Sequence, residues 1–174
     1  MDNPSFLQLG DSTVVEADGA QRIDVPVEIA ALIMPANPEQ EAWIQQQLKD
    51  PFNAYCVDCK EEPSTHFNCG FGVWICGECA KQHISDTSER IKPAFGEVWD
   101  SHTLKIASMG GNQKWHDYNE YYGTSKNHIG WKYKLGYAKW YKRDLQIRAY
   151  GFEFAEPRPF KSLKEGLKQS GLMI

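Results

Sequence analysis

Apolar and polar residues alternate along Ile23–Ile29 (IDVPVEI), which is the pattern of a half-buried β-strand. Pro26 interrupts this run and has no amide hydrogen to donate, so the segment is restricted to a sheet edge or an extended conformation. Glycines and prolines punctuate the rest of residues 1–36. We therefore predict an extended N-terminal arm over residues 1–36. It cannot bury much surface by itself, and we favour its binding to the main domain or a partner over its staying mobile.

A helix is predicted next, over the stretch NPEQEAWIQQQLKD. Asn37 is a suitable N-cap, Pro38 suits the first helical position, and acidic residues fill the first turn. Pro51 is expected to end the helix. The apolar face of this helix would consist of Trp43, Ile44 and Leu48.

From about Glu97 the pattern is helical again, with two or three short helices expected through Tyr122 and a longer helix over WKYKLGYAKWYKRDLQIRAY. Large apolar residues recur at helical spacing in that longer run: Tyr133, Tyr137, Trp140, Tyr141 and Leu145. Prolines break the chain after it, and a short amphipathic end is predicted with Phe160, Leu163 and Leu167 on one side. This organisation predicts a main domain over residues 37–149 and a C-terminal tail over residues 150–174.

The composition is that of a globular protein, with 174 residues of which 41% are hydrophobic. No apolar run approaches the about 18 residues of a membrane-spanning helix. The N-terminus, MDNPSFLQLG, lacks the basic and apolar regions of a secretory signal. We expect an intracellular protein, and the sequence leaves open whether it is cytoplasmic or organellar, for example mitochondrial.

The net charge of −4 is unevenly distributed. Residues 1–50 hold nine acids and two bases, whereas residues 101–150 hold three acids and nine bases. An acidic front and a basic back third can attract each other, or one of them can face a charged partner.

The cysteines supply the strongest chemical signal. Cys56 and Cys59 form one Cys-x-x-Cys pair, Cys76 and Cys79 form a second, and sixteen residues separate the two pairs. Two such pairs provide four soft ligands for tetrahedral zinc, and four thiolates leave no open position for water or substrate. We therefore predict one structural Zn²⁺ rather than two redox or disulfide pairs.

Three further residues near these pairs have chemical potential. Cys69 belongs to neither pair and is predicted to be a small buried thiol. His66 and His83 lie near the ligands in sequence, but no cysteine is missing, so structural roles are favoured for both. A nucleophilic pair of Cys69 with His66 is the alternative that we weigh least.

The cysteine spacing resembles that of the ArfGAP family, zinc-finger domains that activate GTP hydrolysis on Arf-type small GTPases. The family pattern is Cys-x2-Cys-x16-Cys-x2-Cys with an arginine after four intervening residues, and all four cysteines match it. GVWIC (Gly72–Cys76) and His83 also resemble the family. Further similar positions are Trp99, Leu104, Met109, the GGN turn at Gly110–Asn112, and the predicted closing helix over Tyr133–Ala149. The resemblance covers roughly residues 37–149 and implies an Arf-like GTPase as a partner.

The departures from the family concern its catalytic rim. Ile84 occupies the position of the arginine, which the resemblance identifies as a catalytic finger that stabilises charge on the transferred phosphoryl group. The following residues, Ser85–Glu89, replace the family's Ser-Leu-Gly-Val-His, and the acids Asp86 and Glu89 would repel a nucleotide phosphate. His66 stands where the family has a tryptophan. Arg90 is the one candidate substitute for the missing arginine, with a surface ion pair as the favoured alternative.

Aromatic and basic residues are interleaved in residues 115–143, a pattern that can bind single-stranded nucleic acid. Because the whole chain is acidic, we favour a core role for the aromatics and a solvated face for the lysines. The number of large aromatics also suggests that some of them anchor a protein interface.

Together these observations predict an α+β fold, a small four-cysteine zinc-finger domain surrounded by helices, with the arm and tail attached. The predicted function is that of an ArfGAP-like protein that has lost catalysis and serves as an interaction module, as an accessory subunit of a larger mitochondrial, ciliary or vesicle-coat assembly. The alternatives are an active GTPase activator for an Arf-like GTPase and, third, a nucleic-acid-binding module.

Overall fold

Asn37 begins the part of the chain that the structure, a computed structural model, describes, namely residues 37–162. Its side chain accepts a hydrogen bond from the Glu39 amide at 2.9 Å and caps helix α1 (Pro38–Leu48), as the sequence predicted. Pro51 does not follow α1 directly. It opens a second, short helix, α2 (Pro51–Ala54), which Asp50 caps. The predicted arm, Leu163 and Leu167 lie outside the described residues.

A three-stranded antiparallel sheet forms the centre of the fold. Its strands are β1 (His66–Asn68), β2 (Val73–Ile75) and β3 (Ile91–Pro93), in the order β2-β1-β3. Phe67 and Trp74 lie opposite each other in this register and are completely buried. Their rings lie 4.8 Å apart and both stack on Trp99, so an aromatic layer joins the sheet to the segment that leads into the next helix.

Within residues 37–162, five helices follow the second strand and surround the sheet. They are α3 (Gly77–Thr87), α4 (Ser101–Met109), α5 (Asn112–Tyr122), α6 (Ile129–Lys132) and α7 (Gly136–Ala149). None of the helices within residues 37–162 is long and apolar enough to span a bilayer.

The closing helix starts later than the sequence predicted. Tyr133 lies in the turn between α6 and α7, and Leu135 is the N-cap of α7. The turn directs the Tyr133 hydroxyl to the carboxylate of Asp58, and this long-range contact overrides the helical spacing of the aromatic residues. Most of those aromatics pack in the core, as the favoured interpretation predicted, whereas Tyr121 and Trp131 are exposed.

Two glycines allow the loop before α5 to approach the loop before β2. Gly110 lies against Gly72, and a Cβ atom added at Gly110 would lie 2.5 Å from the Gly72 carbonyl oxygen. That oxygen accepts a hydrogen bond from the Gly111 amide at 2.7 Å. Gly72 has a φ of +66°, a left-handed conformation that glycine adopts at little cost.

The described part of the tail crosses the helical face without forming a helix or strand. The guanidinium of Arg158 lies over the rings of Tyr118 and Tyr121, at 4.6 and 4.2 Å. Tyr122 donates a hydrogen bond to the Pro159 carbonyl at 2.6 Å. Phe160, where an amphipathic end was predicted to begin, is exposed and lies outside any helix.

Candidate metal centre

The two Cys-x-x-Cys turns bring four sulphur atoms together. The sulphurs of Cys56, Cys59, Cys76 and Cys79 all lie within 4.8 Å of one another, with 3.9 Å between those of Cys59 and Cys76. Four thiolates bound to tetrahedral zinc at about 2.3 Å lie about 3.8 Å apart. The cluster therefore fits one structural zinc, and the four ligands close its coordination shell.

The first turn is shaped by backbone hydrogen bonds. The Lys60 amide donates to the Cys56 carbonyl at 2.9 Å, and Lys60 itself adopts the left-handed conformation with a φ of 62°. The Val57 amide donates to the Trp74 carbonyl at 3.1 Å. This bond attaches the first turn to β2, which leads directly into the second cysteine pair.

The second turn uses the start of a helix. Cys76 is the N-cap of α3, and its sulphur accepts a hydrogen bond from the Cys79 amide at 3.4 Å. Burial raises the pKa of Cys76, and this backbone hydrogen bond opposes that rise in part.

The thiols of the cluster differ in pKa because they lie close together and hydrogen-bond one another. The hydrogen bond from the Cys79 thiol lowers the pKa of Cys56 to about 5. The same hydrogen bond, together with burial, raises the pKa of Cys79, and burial raises the pKa of Cys76. Neighbouring thiolates repel one another, so a divalent cation that binds all four supplies the positive charge that such a cluster needs.

Asp58, between the first two cysteines, is the centre of a buried polar network. One carboxylate oxygen lies 2.8 Å from His83 Nε2, and the other accepts from Lys132 Nζ at 2.6 Å and from the Tyr133 hydroxyl at 3.0 Å. The side chains of Asp58 and Lys132 are only 3% and 4% exposed. Burial opposes ionisation, but the hydrogen bond from His83 and the charge of Lys132 outweigh it and lower the pKa of the carboxyl.

The hydrogen bonds of Asn68 determine which nitrogen of His83 carries the proton. Asn68 Oδ1 accepts from the Gly70 and Phe71 amides, so its Nδ2 faces His83 Nδ1 at 3.1 Å and donates to it. The hydrogen of His83 is then on Nε2, which donates to Asp58. The predicted structural role of His83 is consistent with this placement.

Asn112, the last residue of the GGN turn, joins both sides of the metal centre. Its Oδ1 accepts from the Trp74 amide at 2.7 Å, and its Nδ2 donates to the carbonyls of Phe52, Tyr55 and Trp74 at 2.9 to 3.0 Å. The Asn112 side chain is buried, and its one amide group forms hydrogen bonds with four backbone groups.

A comparison with protein families assigns the chain. Residues 41–150 match the family model ArfGap, described as "Putative GTPase activating protein for Arf". The chain belongs to the ArfGap family. The match includes the metal centre, the sheet and all helices from α2 to α7.

Solved ArfGap structures have a similar fold. A "putative GTPase activating protein for ADP ribosylation factor" from Cryptosporidium parvum is 20% identical, with a TM-score of 0.52, over 64% of this chain and 91% of that chain. The ArfGap domain of HIV-1 Rev binding protein is 14% identical, with a TM-score of 0.46, over 66% and 87% of the two chains. The ArfGap domain of human RIP is 13% identical, with a TM-score of 0.46, over 72% and 98%.

Ile84 lies on the solvent face of α3 in this ArfGap protein. Its side chain is 60% exposed, whereas its neighbour His83 is completely buried. The helix therefore presents the aliphatic side chain of Ile84 to solvent.

The charged residues after Ile84 are paired. Arg90 donates to Asp100 at 2.8 Å, and Glu89 accepts from Lys142 at 2.7 Å. Asp86 accepts from the Ser85 hydroxyl at 2.9 Å. The repulsion of a phosphate expected from Glu89 is thus offset by the ammonium group of Lys142.

Sequence reasoning placed some functional residues and missed others. Cys69 is a buried thiol as predicted, and the metal-binding group found in the described part of the chain contains no histidine. The lysines were expected on a solvated face, and Lys132 contradicts this because it lies beneath α3 and binds Asp58. Asp58 and Lys132 are 74 residues apart, and neither belongs to a local motif that would indicate the contact.

Proposed function

We propose that this ArfGap-family protein has lost GTPase activation and acts as a zinc-stabilised interaction module, as an accessory subunit of a larger assembly. The observation that carries the proposal is the exposure of Ile84, the residue that the cysteine spacing leads us to align with the family's arginine. An arginine finger works by placing a guanidinium against the charge that develops on the transferred phosphoryl group. Isoleucine has neither charge nor hydrogen-bond donor, so it cannot supply this effect from any position.

Each arginine of the described region already contacts another side chain. Within residues 37–162, Arg90 binds Asp100, Arg143 binds Glu156, Arg148 binds Asp144, and Arg158 lies over tyrosine rings. Arg90 is the nearest of these to Ile84 in sequence, and its partner Asp100 also caps α4. Moving Arg90 into a GTPase site would therefore break an ion pair and leave the Asp100 carboxylate without its counter-charge.

In this proposal the four cysteines hold the zinc, and no side chain of the chain is catalytic. The closed four-thiolate shell leaves the ion no position for substrate, so its contribution is to the folded structure. Thiolate ligands persist in reducing compartments, which agrees with an intracellular location, cytoplasmic or organellar.

Single-turnover GTP hydrolysis by a panel of Arf-type GTPases tests the loss of activity. We expect the wild-type protein to leave the intrinsic rate unchanged. The Ile84→Arg variant tests whether the missing guanidinium is the cause, and Ile84→Leu is the matched control that keeps the aliphatic surface. Acceleration by the wild-type protein would refute the loss of activity, and its disappearance in Arg90→Ala would assign catalysis to that arginine.

The interaction role needs a separate measurement. Binding of GDP-loaded and GTP-analogue-loaded Arf-type GTPases, measured by calorimetry, shows whether the fold still recognises the family's partner.

Native gel filtration of cell extract should show the endogenous protein at a mass well above its own 19.9 kDa. Elution as a free monomer from a gentle extract would contradict the accessory-subunit role.

A further inference from the structure

A basic cavity lies beside the end of α3 and the start of α7. It has a volume of about 380 Å³, which is within the range of small-ligand sites. Its lining residues are Phe71, Thr87, Glu89, Tyr133, Lys134, Lys139, Lys142 and Arg143. Four of the eight are cationic and one is acidic, although the whole chain has a net charge of −4. This local excess of positive charge is therefore not a property of the protein as a whole.

The cations of this basic cavity differ in how they are paired. Lys142 contacts both carboxylate oxygens of Glu89, at 2.7 and 2.9 Å, and Arg143 binds Glu156. Lys134 and Lys139 are exposed, and neither has an ion-pair partner within the described residues. Two ammonium groups therefore remain available to a ligand.

Glu89 does not cancel this charge. Its side chain is only 12% exposed and lies against Gly70, where an added Cβ atom would be 2.0 Å from Glu89 Oε2. The carboxylate is thus fixed beneath Lys142 and neutralises that lysine, as Glu156 neutralises Arg143, so the excess positive charge comes from the other two lysines.

The cavity also has an aromatic floor. Phe71 and Tyr133 are buried, with ring centroids 4.8 Å apart, and Lys142 Nζ lies 5.9 Å from the centroid of the Phe71 ring. Apolar walls of this kind lower the local dielectric constant and strengthen the interaction of the lysines with an anion.

We propose that this basic cavity binds the phosphate monoester of a small ligand. A phosphate monoester carries nearly two negative charges and three strong acceptor oxygens, which match two unpaired ammonium groups with Lys142 and Arg143 beside them. A soluble sugar phosphate and a phosphorylated lipid headgroup present the same chemistry. A single concave site on an acidic chain fits a small anion better than a nucleic-acid strand, which requires an extended basic track. The inference does not depend on whether the protein activates a GTPase.

The test uses the full zinc-loaded chain and two sources of phosphate. Free inositol trisphosphate is titrated by calorimetry at low salt, and sedimentation measures binding to phosphatidylcholine vesicles with or without phosphatidylinositol bisphosphate. The test variant is a double variant that combines Lys134→Gln with Lys139→Gln. The control pair, Lys105→Gln with Lys126→Gln, removes the same charge from exposed lysines that do not line the cavity.

We expect the Lys134/Lys139 pair to weaken binding by about tenfold or more, and the control pair by less than about twofold. Replacing both Lys134 and Lys139 by arginine should retain binding, and thermal unfolding should be unchanged because both side chains are exposed. Binding only to vesicles that contain phosphatidylinositol bisphosphate would assign the site to a membrane lipid. Binding to free inositol trisphosphate as well would show that a soluble phosphate monoester is sufficient. Absence of binding to both, or equal weakening by the control pair, would overturn the proposal. So would tighter binding of a single-stranded oligonucleotide with affinity that grows with its length.

Discussion

His83 Nε2 lies 2.8 Å from Oδ2 of Asp58, and this bond connects the helix that carries the second cysteine pair to the turn of the first. Both side chains are almost completely buried. The bond therefore joins the two halves of the metal centre through protein groups as well as through the metal. Lys132 and Tyr133 add α6 and the turn after it to the same carboxylate.

Replacing Asp58 by asparagine is expected to destabilise the protein strongly. The substitution keeps the volume but leaves the buried ammonium of Lys132 without a counter-charge, at a cost of about 3 to 5 kcal/mol in the free energy of unfolding. Urea denaturation of the zinc-saturated protein measures this cost. The exposed Asp117→Asn is the matched control, with an expected change within about 0.5 kcal/mol.

A double variant separates charge from packing at this site. Asp58→Asn combined with Lys132→Met removes both charges, so it should be more stable than Asp58→Asn alone. If the second change brings further loss instead, the unpaired lysine is not the cause of the destabilisation.

Cys76→Ser is expected to abolish zinc binding and cooperative folding together. Serine is a poor zinc ligand, and the ion's binding energy is part of the folding energy of such a domain. Metal analysis should give one zinc per wild-type chain and none in the variant, whose circular dichroism should lack a thermal transition. Cys69→Ala is the control, because Cys69 lies outside the cluster: it should retain the zinc and lose about 1 kcal/mol of stability. A folded, zinc-free Cys76→Ser protein would show that the metal is dispensable.

Much of the local structure follows from the sequence because its signals are local. The Asn37 cap, the helix start at Pro38 and the two cysteine turns each depend on residues within a few positions of one another. The sequence pattern also identified the aromatic core, because it depends on composition and spacing more than on register.

The parts that the sequence did not reveal depend on contacts between distant segments. Tyr133 has the spacing of a helical residue, but its hydroxyl binds Asp58, 75 residues away, and the turn that permits this ends the helical pattern. In the sequence Lys132 cannot be distinguished from a surface lysine, and only the structure shows its buried ion pair with Asp58. The site of such a buried pair is decided by how α6 packs against α3, which no local periodicity encodes.

Gly110→Ala should destabilise the fold because the new side chain would meet the neighbouring loop. The new Cβ atom would lie 2.5 Å from the Gly72 carbonyl oxygen, which is backbone and cannot rotate away. We expect a loss of about 2 kcal/mol by thermal or chemical denaturation. Gly136→Ala is the matched control, since no atom lies within 4 Å of its added Cβ, and it should be neutral or slightly stabilising. Equal effects of the two changes would contradict the close approach of the two loops.

Cys69 is expected to make stability depend on pH in the alkaline range. Burial raises the pKa of this thiol to about 11 from an ordinary 9.0, against the weaker opposing effect of Arg90. The folded state therefore holds the proton more tightly than the unfolded state. The resulting stabilisation is fully present below about pH 9 and is lost as the pH rises towards about 11.

Two measurements check this expectation. The difference in unfolding free energy between wild type and Cys69→Ala should be constant below about pH 9 and should shift against the wild type above it. At pH 9, iodoacetamide should modify Cys69 far more slowly in the native protein than in denatured chain, as read by mass spectrometry. Similar rates in the two states would show that the thiol is accessible and that its pKa is not raised.

Tyr133 takes part in two structures at once. Its ring forms the floor of the basic cavity, and its hydroxyl binds the aspartate inside the first zinc turn. If the basic cavity binds an anion as we propose, metal and anion are thermodynamically linked, because both bind the same folded arrangement of this one tyrosine. Occupation of either position should then tighten the binding of the other ligand, so the protein would respond to zinc supply and phosphate-ligand supply together.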